Sequence, residues 1–538
     1  MQQNTRSAVL LLLALCIAIL TPIWFVDFFV NNDGSGHLYV SHVMLEHLHG
    51  GTFFSDKLAF NSFALPNSLG HWFIVGLLPL FSPAVVTKLM MTVTFVLMAV
   101  SLVYLRICVF GDDDLVTTVL LCGAASANGF WLQGSYNYIL ATIGFTFALG
   151  LFFSWRNDMT LWRVVSLSGV IAIVYFGHLI SFCLLLGSLI VLALFVTGSK
   201  RLRAIAAICI ASIPSIFLLF VYLLSKDNAE PFVPYWRQLA NPLSIQSWGY
   251  YISSSDPFGF ISRQTIPFGD LRSPILAFVS PWALISIALL IICTATAIAF
   301  RRDLARFRNS IPFAVLFVLT FIAAVFGPND FGLRNGSILR ERLFLMSVIV
   351  LTGCFTFSYA PKLARICQAL LLIVMVFQTA ALWEYALFAD NETASFIAAR
   401  DSIPEGAAIA SVVFDDREEK FRVLPLGQLD NLIGVGRNVF VWDNYELGHN
   451  LFPVIAIKPE DSLLAYALWS SNAFSRNEPK SFFDQKLMNL GSSLRSGKDR
   501  IDFLLVYNAD QRITEIVEEN FASDLVYANG NMRILKAK

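Results

Sequence analysis

The chain has 538 residues, 56% of them hydrophobic and 14% charged, with a formal net charge of zero. Soluble proteins carry about 25% charged residues. The composition therefore excludes a soluble enzyme, a disordered chain and a secreted disulfide scaffold, and the balanced charge gives nothing that points to nucleic acid.

Half of the charged residues fall in the last 150 positions. This divides the chain into an apolar body, 1–388, and a tail of ordinary soluble composition, 389–538. The eight cysteines (Cys16, Cys108, Cys122, Cys183, Cys209, Cys293, Cys354 and Cys367) all lie in or beside apolar segments. They fit no zinc spacing and imply no disulfide framework; small buried hydrophobes is the plain reading.

A helix needs about 20 apolar residues to cross a bilayer core. On that ruler spans are predicted near 8–30, 84–106, 114–128, 131–154, 161–177, 179–197, 203–224, 273–299, 310–327, 343–360 and 364–388. The run 70–82 is short and ends at Pro83, so it reads as re-entrant or interfacial. The first span is too long for a signal-peptide core and is expected to stay attached. Basic residues gather at Arg6, Arg106, Arg156/Arg163, Lys200/Arg201/Arg203, Arg301/Arg302/Arg306/Arg308 and Lys362/Arg365. These loops alternate correctly if the N-terminus is cytoplasmic. The longer polar and aromatic loops and the tail then face the other side, and chemistry or recognition belongs there. The expected fold is an α-helical polytopic membrane bundle of about 11 spans with a C-terminal extracytoplasmic α/β domain.

Polar groups at the outer ends of spans are the candidates for function, because a charge at membrane depth usually has a task or a partner. Directly after the first span comes Asn31-Asn32-Asp33-Gly34-Ser35-Gly36-His37. The Asp33 carboxylate can accept a proton from an acceptor hydroxyl or bind a divalent cation, which is all that the sequence offers toward a cofactor. His37 shares its face if the segment is helical. A solvated loop with a helix cap is the competing reading. The stretch 38–66, with His42, Glu46, His47 and His49, reads as an amphipathic helix on the outer leaflet whose histidines are solvated rather than metal ligands. Gly134-Ser135-Tyr136-Asn137 opens a later span, where amide and hydroxyl groups either line a polar cavity or glue helices together. His178 lies in a Tyr-Phe-Gly-His turn and suits a hydrogen bond to phosphate or hydroxyl, or a structural one. Arg340-Glu341-Arg342 precedes a late span; guanidinium groups clamp phosphate bidentately, or they snorkel as interfacial anchors.

In the tail, Ala407–Phe414 and Asp502–Tyr507 read as buried strands, Ile513–Phe521 as a short amphipathic helix, and Met532–Leu535 as a last strand after an Asn-Gly turn. Trp442, Asp443, Asn444, Tyr445 and His449 form a polar-aromatic cluster that either touches a sugar or acceptor or packs as a loop. The tail carries no catalytic motif.

In order rather than in any single string, these features resemble GT-C-type glycosyltransferases, in the bacterial branch that uses polyprenyl-phosphate sugars. An acid and a following His (Asp33, His37) stand after the first span. Gly-Ser-Tyr-Asn (134–137), Tyr-Phe-Gly-His (175–178) and Arg-Glu-Arg (340–342) follow, and an outward soluble domain closes the chain. The resemblance implies an active site at the outer face of a bacterial inner membrane, a sugar–phosphate–polyprenol donor, a glycan or lipid acceptor, and inversion at the sugar carbon. It makes Asp33 the base; beside it, the residue types lead us to expect Arg340 and Arg342 to hold the donor phosphate and His37, His178, Tyr136 and Asn137 to orient the substrates. Many members carry two neighbouring acids in the first outer loop. Here the neighbours are Asn31 and Asn32, so Asp33 acts alone or with Glu46 or Asp56. A lipid-linked oligosaccharide polymerase or ligase shares the donor and the outer arginines and differs in product. A lipid-sugar flippase or transporter would show internal repeats and midplane charges, and neither stands out.

Overall fold

A computed structural model of the chain describes residues 2–111, 114–225, 304–328, 338–356, 361–414, 426–449, 451–474 and 480–538. The predicted span 273–299 lies outside the described residues. The chain forms two compact units.

The first unit comprises Met1–Pro22, Ala64–Leu69 and Met91–Leu382. It is helical because its segments are apolar on every side, and a helix satisfies all of its own backbone groups. Pro22, Pro214 and Pro312 sit inside helices. Among the described residues, six helices are long and apolar enough to cross a membrane: Thr5–Phe25, Pro83–Phe110, Tyr136–Trp155, Lys200–Ser225, Arg308–Phe326 and Pro361–Ser402. Three of these continue into the second unit. Shorter apolar helices, Leu115–Ser126, Leu161–Gly177 and Leu179–Leu194, accompany them. Phe145, Leu149, Phe152, Ile171, Leu185 and Leu189 build one core among these helices. Gly144 and Gly177 permit the closest approach: a Cβ on Gly144 would stand 2.8 Å from Val174 Cγ2, and one on Gly177 2.7 Å from Ala141 Cβ. Only a bare Cα lets Leu161–Gly177 lie that near Tyr136–Trp155.

Two details differ from the sequence reading. The span expected at 131–154 is broken: Gly129–Gln133 forms a short helix closed by Gly134 at φ 82°, and Tyr136–Trp155 starts anew. Asn128 drives the break, since its side chain accepts the Trp131 N–H and caps the short helix. Arg106, expected among exposed basic loop residues, is 2% exposed. Its guanidinium donates to the carbonyls of Thr352 and Phe355 at the C-terminal end of Leu339–Leu351 and to Thr118 Oγ1. A helix C-terminus presents free carbonyls that a buried cation satisfies.

The second unit comprises Ile23–Phe63, Gly70–Met90 and Trp383–Lys538. Its strands are β1 (Leu58–Phe60), β2 (Ala408–Phe414), β3 (Phe440–Val441), β4 (Val454–Ala456), β5 (Ala473–Phe474), β6 (Phe503–Tyr507), β7 (Ser523–Asn529) and β8 (Met532–Ala537). The main sheet runs β3-β2-β6-β8-β7, with β5 also on β2. Strands β3, β5 and β6 lie parallel to β2, and β8 lies antiparallel to both β6 and β7. β2 and β6 are buried at every position, as their unbroken apolar runs require. The amphipathic helix expected in the tail is Gln511–Asn520, capped by Asp510 on the Ile513 N–H. A separate pair joins Leu58 to Ala456 and Phe60 to Val454, β1 against β4, so the first long loop and the tail are hydrogen-bonded together.

Within this unit the expected leaflet-lying helix is instead a core element. Gly34–Leu48 is buried from Gly34 to Met44. Tyr39, fully buried, donates to the Val439 carbonyl and accepts the Val441 N–H. Gly434 has no side chain because a Cβ there would be 2.6 Å from the Tyr39 ring. His42, expected in solvent, is buried against the Arg437 carbonyl. The helix carries enough apolar surface on both faces to be enclosed, and the tail encloses it. The run 70–82 begins with a nine-residue helix, Leu69–Leu77. At 1.5 Å per residue it spans about 14 Å, half of a hydrocarbon core.

Candidate active-site clusters

The residues singled out from the sequence are divided between the units. Asp33 and His37 belong to the second, and Tyr136, Asn137, His178, Arg340 and Arg342 to the first.

In the second unit, Asp33 is the residue that starts the helix Gly34–Leu48. Its Oδ1 accepts from Asn32 Nδ2 at 2.8 Å, and Asn31 Oδ1 takes the Gly34 N–H at 2.8 Å. The two neighbouring asparagines thus build the turn that holds the carboxylate, which is half-buried. Asp56 is exposed and Glu46 half-buried, at the far end of the same loop. One turn on from Asp33, His37 meets two residues that the sequence reading missed. Its Nδ1 lies 2.5 Å from Glu446 Oε1 and 3.2 Å from His71 Nε2, and His71 Nε2 lies 2.7 Å from Glu446 Oε2. All three side chains are at most 5% exposed. Burial would raise the Glu446 carboxyl, but the two imidazoles, by charge and hydrogen bonding, bring it down to about 2. Burial opposes a proton on His37; the Glu446 charge and hydrogen bond outweigh it and raise His37 above its ordinary value. For His71, burial wins and the value falls.

Glu446 is aimed by Asn444. That side chain donates to Asn431 Oδ1 and to the Gly36 carbonyl, and its Oδ1 accepts the N–H groups of Glu446 and Leu447. Signals existed for both missed residues. His71 opens an otherwise apolar run, and Glu446 sits within the polar-aromatic stretch 442–449. Nothing in their spacing joins them, because their meeting depends on the folded tail.

In the first unit the chain brings His178, Arg342 and Tyr138 together. Arg342 Nη1 is 2.7 Å from His178 Nε2. The guanidinium lies over the rings of Tyr138, 5.4 Å from its centroid, and Phe130, 6.0 Å. The Tyr138 hydroxyl donates to the Arg342 carbonyl at 2.6 Å. An arginine is always a donor, so His178 Nε2 must accept and the ring proton is on Nδ1. That Nδ1 is buried and has no hydrogen-bond partner among the described residues. Arg340 is placed differently: it is buried and its Nε donates to the Gly327 carbonyl at 2.7 Å. Tyr136 and Asn137 are buried in the first turn of Tyr136–Trp155. The arrangement can hold an anion against Arg342 and donate one further hydrogen bond from His178.

Comparison of the sequence with known protein families and with curated proteins finds no match. Comparison of folds does. The chain overlays ArnT from Cupriavidus metallidurans, solved bound to undecaprenyl phosphate, with a TM-score of 0.54 at 10% identity, covering 98% of this chain and 97% of that one. Weaker overlays are an oligosaccharyltransferase of Archaeoglobus fulgidus (TM-score 0.48, 11% identity, 93% of this chain and 67% of that one) and the mycobacterial arabinofuranosyltransferase AftD (0.45, 13%, 99% and 41%). The overlay with ArnT shows a shared fold: a multi-span helical membrane protein with a sheet-containing C-terminal region.

Proposed function

We propose that this chain is a membrane glycosyltransferase that moves a sugar from a polyprenyl-phosphate donor to a hydroxyl acceptor, a glycan or a lipid, at the outer face of a bacterial inner membrane. In this reading the N-terminus is cytoplasmic and the C-terminal domain extracytoplasmic. The observation that carries the proposal is the Arg342–His178 pair, a half-buried cation beside an imidazole whose buried Nδ1–H has no partner among the described residues. Such a pair suits a phosphate whose charge grows as the sugar leaves. The likeness of fold to a protein solved with undecaprenyl phosphate supports the same donor class.

The reaction assigned is a single displacement with inversion. The acceptor oxygen forms a bond to the sugar's anomeric carbon as the bond from that carbon to the phosphate oxygen breaks. Asp33 takes the hydroxyl proton, and polyprenyl phosphate departs with the bonding pair. Arg340 and Arg342 stabilise the departing phosphate. His178 donates to it, while Tyr136 and Asn137 shape the start of their helix around the substrate. His37 acts on Asp33 from one turn along the same helix rather than on substrate, since Glu446 and His71 already engage its ring.

The test supplies radiolabelled polyprenyl-phosphate sugars to membranes with the wild-type chain, with Arg342→Ala, or without the protein. Label passing singly to a glycan or lipid only with the wild type supports the reading. Transfer of whole blocks would identify a polymerase or ligase instead. Movement across the bilayer without a covalent product would identify a transporter.

A further inference from the structure

We infer that His37, His71 and Glu446 form a binding site for a divalent transition-metal ion of the zinc class, which pins the helix beginning at Asp33 to the C-terminal domain. Two imidazoles and one carboxylate are a recurring zinc ligand set that leaves a fourth position for water or another ligand. Their ligand atoms lie within 4.8 Å of one another. A tetrahedral ion with Zn–N bonds of about 2.0–2.1 Å sets two ligand nitrogens about 3.3 Å apart, and His37 Nδ1 and His71 Nε2 are 3.2 Å apart. His37 Nδ1 meets one Glu446 oxygen and His71 Nε2 the other, so two imidazole nitrogens and one carboxylate converge in a single buried cluster. The oxygens stand closer to the nitrogens, at 2.5 and 2.7 Å, than an ion between them allows. Binding would open these contacts by about 0.6–0.8 Å.

The surroundings fit the same use. The site is buried, and the Phe452 ring packs against both histidine rings at 6.0–6.3 Å between centroids. Tyr445 lies 6.2 Å from His37. An apolar shell of this kind strengthens binding and limits water access. Asn444 holds the Glu446 backbone, which orients the carboxylate without competing for it. The three ligands come from segments that are far apart in sequence, so an ion would join the first long loop, the helix Leu69–Leu77 and the tail. Imidazole nitrogens select zinc, cobalt or nickel over magnesium.

The inference does not rest on sugar transfer. The full-length chain is purified in detergent on a tag without histidines, and metal content is measured by mass spectrometry before and after exposure to Zn²⁺ or Co²⁺. The expected result is about one ion per chain, a visible cobalt spectrum of tetrahedral type, and no competition by Mg²⁺. His71→Ala and Glu446→Gln should each weaken binding by about 100-fold, while His49→Ala, at an exposed position, leaves it unchanged. Failure of the wild-type chain to bind zinc or cobalt saturably would overturn the inference and leave a hydrogen-bonded His–Glu–His network. So would binding that survives both ligand substitutions. The cobalt spectrum needs only the wild-type protein, so the test stands even if the variants do not fold.

Discussion

Arg342 Nη1 lies 2.7 Å from His178 Nε2, and this one contact fixes the imidazole tautomer. The arginine comes from the first turn of Leu339–Leu351 and the histidine from the junction of two helices more than 160 residues earlier. Tyr138 closes the group by donating to the Arg342 carbonyl. A lysine would keep the charge but lose the planar fork and its stacking on Tyr138. Arg342→Lys is expected to lower kcat/KM for the lipid donor by about 10- to 100-fold, the equivalent of one to two charge-assisted hydrogen bonds. Substitution of His178 by Ala in that background should add less than it does alone, because the two act as a unit. Full additivity in steady-state assays with labelled donor would refute the pairing.

Asp33 is held by Asn32 at the start of its helix, and the Asn side chain has nearly the same shape. Asp33→Asn should therefore fold with an unchanged melting temperature and lose about 10²- to 10⁴-fold in turnover, the range of a general base. A folded Asp33→Asn chain that transfers sugar at the wild-type rate would remove Asp33 from the mechanism.

The tail holds a buried carboxyl pair away from the proposed chemistry. Asp443 Oδ2 accepts from the Ser411 N–H and hydroxyl and from Asn472. Burial, then the charge and hydrogen bond of Asp443, raise Asp430 well above the ordinary carboxyl value. The folded chain thus keeps a proton that the unfolded chain releases above about pH 4. Stability from this group is complete below that pH and declines as pH rises through the raised value. Melting curves of Asp430→Asn should show a weaker decline on the alkaline side than the wild type. Identical pH slopes would mean that Asp430 is ionised in the folded protein.

Gly177 and Gly187 make a paired test of helix packing. A methyl on Gly177 would be 2.7 Å from Ala141 Cβ, while one on Gly187 meets nothing within 4 Å. Gly177→Ala should cost about 1–3 kcal/mol through overpacking and lower donor transfer by shifting His178, the next residue. Gly187→Ala should be neutral or stabilising by up to about 1 kcal/mol. Thermal unfolding in detergent separates the two, and equal melting temperatures would contradict the close approach.

What the sequence determined by itself follows from short-range physics. Apolar length gives helices, and unbroken apolar runs such as Ala408–Phe414 and Phe503–Tyr507 give buried strands, so the membrane bundle and the α/β tail were legible from composition and period. Asp33, His37, His178 and Arg342 were also legible as residue types out of place at the ends of apolar segments. The partners were not. The burial of Gly34–Leu48, the pairing of β1 with β4 and the meeting of His37 with His71 and Glu446 join residues up to about 400 positions apart. Local periodicity carries no information about such separations. They are decided when the tail folds over the first loop, since only then does enclosing both faces of that helix stabilise more than leaving one face to lipid or water.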